Sequence, residues 1–148
     1  MSDIGFTGSR IGITDLQKKT IKQILFLFES NSIVHHGDCK GADEAFHSIA
    51  LEMGFRTAIH APIDKKLSAF CKADFMYPEK DFIQRNHEIV DYTEVLIVAP
   101  DSWVEKLRSG TWATYRYALK QGKPIYIVYP DGEHYKIIDI PQYAVEEG

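Results

Sequence analysis

Residues 32–54, SIVHHGDCKGADEAFHSIALEMG, pass from an apolar segment through a glycine-bearing turn into a helical pattern. Ser32 to His35 reads as a buried strand closed by Gly37. Ala42, Ala45, Phe46, Ile49, Ala50 and Met53 then repeat at the spacing of one helical face, and Gly54 stops the helix. The same order recurs on both sides. Ile4 to Thr7 is a short strand leading through Gly8-Ser9-Arg10 to a helix that begins at Thr14, with Gln17 as its capping-box partner. Leu16, Ile21, Ile24, Leu25 and Phe28 form the apolar stripe of that helix. Val95 to Ala99 is the most continuous apolar strand. It leads through a loop to Ser109-Gly110-Thr111 and a helix from Thr111 to Gln121, where Thr111 is a natural cap.

Phe55 to His60 and Pro124 to Tyr129 read as further strands, and Ile137 to Ile140 as a short one in the tail. Asp81 caps a helix that turns Phe82, Asn86, Ile89 and Val90 inward. Between Pro62 and Lys80 the pattern breaks, predicting a long loop with a short helix around Ser68 to Lys72. Strands alternating with helices predict an α/β fold: a doubly wound, mainly parallel sheet of five or six strands with helices on both faces. Its three glycine turns then meet beyond the strands' carboxyl ends, each opening a helix whose free N–H groups and positive end attract an anion.

The 148 residues suit one domain, and 45% hydrophobic with 26% charged residues is ordinary globular composition. A net charge of −4 argues against a broad basic surface, so a small anionic ligand is expected rather than nucleic acid. Cys39 and Cys71 have no CxxC spacing and read as reduced thiols. No apolar run approaches the roughly 18 residues of a membrane span, and no signal-peptide pattern opens the chain. A cytoplasmic protein without a membrane partner is expected.

The candidate ligand-binding residues follow from the turns. Gly8, Ser9 and Arg10 offer backbone N–H groups, a hydroxyl and a planar guanidinium to an oxyanion. Gly37, Asp38, Gly41, Ala42 and Asp43 form the second turn, whose glycines permit close approach and whose Asp43 can take a ribose hydroxyl or complement the helix dipole. Arg85 and Asn86 precede the central strand, and a buried amide needs partners that a crevice can supply. Ser109, Gly110, Thr111 and Thr114 complete the set, while Trp112 reads as core or contact surface. The spacing matches neither the P-loop nor GxGxxG. His35, His36, His60 and His87 near Asp38 form no HxxxH or HxH pair, and no GxSxG elbow is present, so no metal or cofactor is expected and no catalytic residue is assigned.

Taken in order, Gly8-Ser9-Arg10, His36-Gly37-x3-Gly41-Ala42-Asp43, Arg85-Asn86 and Gly110-Thr111-Trp112-x-Thr114 followed by Gly122-Lys123-Pro124 resemble the SLOG superfamily. The resemblance runs from about Ile4 to Tyr129 and is nearest the small YpsA-like branch. It implies a Rossmann-like fold and a nucleotide-related ligand at the glycine crevice. Members include phosphoribohydrolases acting on nucleoside monophosphates, sensors of NAD-derived or cyclic nucleotides, and the DNA-processing proteins of transformation. The enzymes carry an acid three positions after the motif threonine, where this chain has Thr114, and a tandem glycine where it has Arg108-Ser109. Arg85 matches their arginine.

The departure at Thr114 favours a binder of an ADP-ribose, NAD-derived or cyclic-nucleotide signal, as sensor or sequestering protein, with a use in bacterial or phage defence signalling. The alternative is a nucleoside 5'-monophosphate phosphoribohydrolase using Asp38, Asp43 or Glu88 as the acid. Trp103, Trp112, Tyr115 and Tyr117, with the family resemblance, add the expectation of a homodimer or higher homo-oligomer.

Overall fold

The computed structural model describes residues 2–138. Seven strands form one sheet in the order β4-β3-β2-β1-β5-β6-β7. They are β1 (Asp3–Gly8), β2 (Ile33–His36), β3 (Arg56–Pro62), β4 (Phe75–Lys80), β5 (Val95–Ala99), β6 (Ile125–Val128) and β7 (His134–Ile137). The first six are parallel, and β7 pairs antiparallel with β6. The helices are α1 (Asp15–Leu25), α2 (Ala42–Glu52), α3 (Phe82–Asp91) and α4 (Gly110–Lys120). This is the Rossmann-like α/β arrangement that the alternation predicts, with more strands than the five or six expected.

Two apolar layers sandwich the sheet. Ile21, Ile24 and Leu25 of α1 and Phe46, Ile49 and Ala50 of α2 pack on one face. Ile89 and Val90 of α3 and Trp112 and Ala118 of α4 pack on the other. β5 serves both: Val95, Ile97 and Ala99 face the first layer, Leu96 and Val98 the second. A strand covered on both sides reads as an unbroken apolar run, which is why this segment is so legible in the sequence.

The stretch expected to be a long loop holds a one-turn 3-10 helix at Lys65–Leu67 and the edge strand β4. Nearly all of β4 faces solvent, so burial imposes no alternation on it. Its Pro78 is a residue that sheets tolerate at their edges. The tail strand lies at His134–Ile137 rather than Ile137–Ile140, because the turn at Asp131-Gly132 folds the chain straight back onto β6. Residues 139 and 140 lie outside the described residues. Thr14 and Gln17 form the expected capping box, and Asp81 caps α3. Leu16, placed in the stripe of α1, is instead exposed.

Gln17 ties these layers together. Its side chain is 1% exposed, and its amide nitrogen donates to Pro100 O at 2.8 Å and Val128 O at 3.0 Å, just beyond β5 and at the end of β6. Its carbonyl oxygen accepts from Thr14 N at 2.9 Å. Gln17→Met keeps the volume but leaves two buried carbonyls without a donor. We expect it to lower the unfolding free energy by about 2–4 kcal/mol, read by urea denaturation, and an unchanged midpoint would show that water replaces the amide.

Candidate functional site

The connections that leave β1 and β5 diverge at the centre of the sheet, where Gly8 pairs with Ala99. Open α/β sheets bind ligands at such a switch point, beyond the carboxyl ends of the strands. A crevice of about 330 Å³ opens there. Ten of the fourteen candidate residues line it: Gly8, Ser9, Arg10, Gly37, Asp43, Arg85, Asn86, Ser109, Gly110 and Thr111. Asp38, Gly41, Ala42 and Thr114 do not.

The four outside have structural work. Asp38 turns away to hold the following loop, accepting from Ser68 Oγ at 2.8 Å and Cys71 N at 2.9 Å. Gly41 has φ +91°, and a Cβ there would stand 2.1 Å from Arg10 O. The position therefore belongs to glycine. Ala42 N donates to Ser9 O at 3.0 Å, locking the first turn to the second. Thr114 Oγ1 donates to Gly110 O at 2.8 Å within its own helix.

The expectation that three helix starts face one ligand is corrected. α1 begins five residues after Arg10, and Thr14 Oγ1 donates to Pro130 O at 2.7 Å beyond β6, so this helix end lies away from the crevice. At α2 the N–H of Ala42 is already bonded to Ser9 O. α4 remains: Gly110 and Thr111 bring its start to the crevice wall, and its cap is Ser109, not Thr111, with Ser109 Oγ accepting from Trp112 N at 3.3 Å. That leaves the Thr111 hydroxyl without a partner among the described residues.

Arg85 dominates the electrostatics. It is 3% exposed, and its guanidinium donates to Gly37 O at 2.5 Å, His60 O at 3.3 Å, Asn86 Oδ1 at 2.8 Å and Cys39 Sγ at 3.5 Å. Among the described residues no carboxylate lies within 4.0 Å of it. Gly37 leaves room for this placement, because a Cβ would sit 2.4 Å from Arg85 Nη1 and the guanidinium would have to move. Asp43, in the first turn of α2, accepts from Cys39 N at 3.1 Å. Burial raises its carboxyl to about 6, against the pull of Arg85.

Sequence reasoning missed the other wall. Phe82 lies beneath both guanidiniums, with Arg10 and Arg85 each 5.0 Å from its ring centre. Lys106 and Arg108 enter from the loop after β5, with Lys106 paired to Asp101 at 3.0 Å. Four cationic and two acidic side chains thus line the crevice. A lysine or arginine in a polar loop carries no sequence signal of where it points.

Behind Arg85 a chain of polar groups, buried at His35, His60 and Glu88, fixes α3 to the sheet. Asp3 Oδ1 contacts His35 Nε2 at 2.9 Å, His35 Nδ1 contacts His60 Nε2 at 2.9 Å, and His60 Nδ1 contacts Glu88 Oε1 at 2.6 Å. Glu88 also receives Lys80. Burial lowers His60 to about 4. Burial would raise the Glu88 carboxyl, but the hydrogen bonds from Lys80 and His60 outweigh it and hold it below its ordinary value.

His36, His47 and Cys71 come close enough to suggest a metal centre. The protons argue otherwise. His47 Nε2–H donates to Lys72 O, so its Nδ1 accepts from His36 Nε2–H, whose Nδ1 in turn accepts from Asp38 N. Burial, then Asp38, push the Cys71 thiol up to about 12. A metal would have to displace every one of these protons or bonds. His87 stacks on Tyr117 instead, well apart in role from the other histidines.

No protein-family model and no curated protein matches the sequence. Solved structures share its fold. TM1055 superimposes with a TM-score of 0.60 at 14% identity, over 84% of this chain and 72% of its own. DNA processing protein A from Helicobacter pylori gives 0.60 at 20% identity over 86% of this chain, and that from Streptococcus pneumoniae 0.64 at 23% over 86%. The chain spans 65% and 50% of those two proteins. The likeness agrees, at the level of the fold, with the SLOG resemblance of the motifs.

One expectation is overturned. The Helicobacter pylori protein is described by its single-stranded DNA binding mode, so nucleic acid is not to be set aside as a partner class for this fold. The net charge of −4 misleads because it sums the whole surface, whereas binding depends on the local field, and the crevice lining carries four cations against two acids. Among the described residues, no helix is long and apolar enough to cross a membrane.

The raised carboxyl predicts a pH signature. Asp43 binds its proton more tightly folded than unfolded, so its contribution is complete below about 4 and is lost as pH rises through about 6. Two pKa units correspond to about 2–3 kcal/mol. Asp43→Asn removes this term, so its stability relative to the parent should rise by that order between pH 4 and 7. Parallel urea midpoints across that range would refute the assignment.

Proposed function

We propose that the crevice between β1 and β5 holds a nucleotide-derived, phosphorylated small molecule, and that the protein senses or sequesters it. The ligand class is an ADP-ribose or NAD-derived compound or a cyclic nucleotide. One observation carries the reading: Arg85 is buried at 3% exposure with no carboxylate within 4.0 Å among the described residues. A buried cation is stable only if something compensates it. Carbonyl oxygens compensate in part, and an oxyanion in the crevice would complete the shell. The start of α4, the Thr111 hydroxyl, unpaired among the described residues, and the exposed Arg10 border the same space and favour the same charge.

Isothermal titration calorimetry tests this with ADP-ribose, NAD, AMP, cyclic nucleotides and a short single-stranded oligonucleotide. We expect at least one phosphorylated small molecule to bind, with Arg10→Ala weakening it about tenfold. Failure of every small molecule would refute the reading. Oligonucleotide binding alone, steeply salt-dependent, would move the function to nucleic acid.

A second reading has its own support. Among Asp38, Asp43 and Glu88, only Asp43 lines the crevice, and a carboxyl raised to about 6 suits general acid–base work near neutral pH. It would serve N-glycosidic cleavage of a nucleoside monophosphate. Release of free base, lost in Asp43→Asn with ligand affinity retained, is the expected result under this reading. Intact nucleotide after prolonged incubation would leave binding alone.

A further inference from the structure

A side chamber of about 220 Å³ adjoins the crevice, sharing Phe82, Asn86 and residues Arg108, Ser109 and Gly110 with it. Its own walls are Ile83, Leu107, Ala113, His87 and Thr114. The Thr114 hydroxyl is spent on Gly110 O, and the His87 ring lies flat on Tyr117 with centroids 3.7 Å apart. No carboxylate lines it among the described residues. An apolar slot beside a cationic crevice suits a flat, uncharged ring attached to an anion.

Asn86 stands at the junction, 9% exposed. Its Oδ1 accepts from Arg85 Nε at 2.8 Å. A guanidinium only donates, so this contact fixes the amide's orientation and aims Nδ2 the other way. Nδ2 has no partner among the described residues. Gly110 keeps the space beside it open: a Cβ there would lie 4.0 Å from Nδ2 and 2.7 Å from Phe82 Cζ. The side chain is nine-tenths buried, and its amide nitrogen, unpaired at the cavity wall, is placed to take an acceptor from a ligand.

We infer that the side chamber is a nucleobase subsite and that Asn86 Nδ2 donates to the acceptor beside the glycosidic bond. The inference rests on the crevice holding the phosphate. With the phosphate near Arg10 and Arg85, the sugar spans the junction and the base enters between Phe82 and Ala113. Purines offer N3 there and pyrimidines O2. The donor therefore separates nucleotides from sugar phosphates without ranking the bases.

Calorimetry on the intact chain compares AMP, GMP, CMP and UMP with ribose 5-phosphate. The nucleotides should bind about tenfold more tightly than ribose 5-phosphate and within about fivefold of one another. Asn86→Asp keeps an acceptor for Arg85 Nε but has no donor. Its added charge weakens all probes alike, so the readout is the ratio of nucleotide to ribose 5-phosphate affinity, which should fall towards one. Ala113→Phe, at an exposed position, fills the chamber and should collapse the same ratio. A ratio near one in the parent chain, or a ratio unchanged by both variants, overturns the subsite while leaving the phosphate reading in place. One base preferred tenfold over the other three overturns the shared-acceptor assignment. Failure of all five probes removes the phosphate reading and the subsite together.

Discussion

The burial of one guanidinium organises this end of the molecule. Arg85 can lie beneath the β1–β5 crevice only because Gly37 has no side chain, Asn86 turns its oxygen inward, and the carbonyls of Gly37 and His60 are free to accept. Each condition constrains a different element: the turn after β2, the helix α3 and the strand β3. The run from Asp3 through the buried His35, His60 and Glu88 to Lys80 holds α3 in register with those strands. What results is a fixed positive charge at a place where water is largely excluded and fields are strong.

Around that charge the site divides the labour of recognition. Backbone and cations suit a phosphate, a raised carboxyl stands beside them, and an apolar slot with one orphan amide donor lies to the side. A shared fold does not fix activity, so the fold does not choose among these uses. Local composition does. The crevice is cationic in a chain of net charge −4, and the distinction between the global sum and the local field corrects the reading of the sequence about nucleic acid.

Much of the site was legible because its turns follow a shared grammar of apolar strand, glycine, helix start. Gly8, Gly37 and Gly110 could be placed at one sheet edge from alternation alone. Asp38 and Thr114 lie outside the crevice, Thr114 in the wall of the side chamber, because a turn residue one position from a liner, or a helix residue one turn along, faces elsewhere by geometry that spacing cannot resolve. Phe82, Lys106 and Arg108 were missed for the opposite reason. Phe82 was read as turned inward but not as a crevice wall, and the places of Lys106 and Arg108 depend on how a long loop folds over the crevice, which carries no periodic signal. β4 was missed because an exposed edge strand has no buried face to impose alternation.

The sequence by itself determined the α/β class, the parallel core strands, the helix caps at Thr14 and Asp81, and the convergence of the glycine turns. These follow from periodicity and from backbone conformations available to few residue types, both of which are local. Only the tertiary structure decided that Arg85 is buried with no carboxylate within 4.0 Å among the described residues, that Asp43 and not Asp38 lines the crevice, and that Asn86 stands between the crevice and a second chamber. Those facts arise from groups far apart in the chain meeting in a dry interior, where each must find a partner or wait for one.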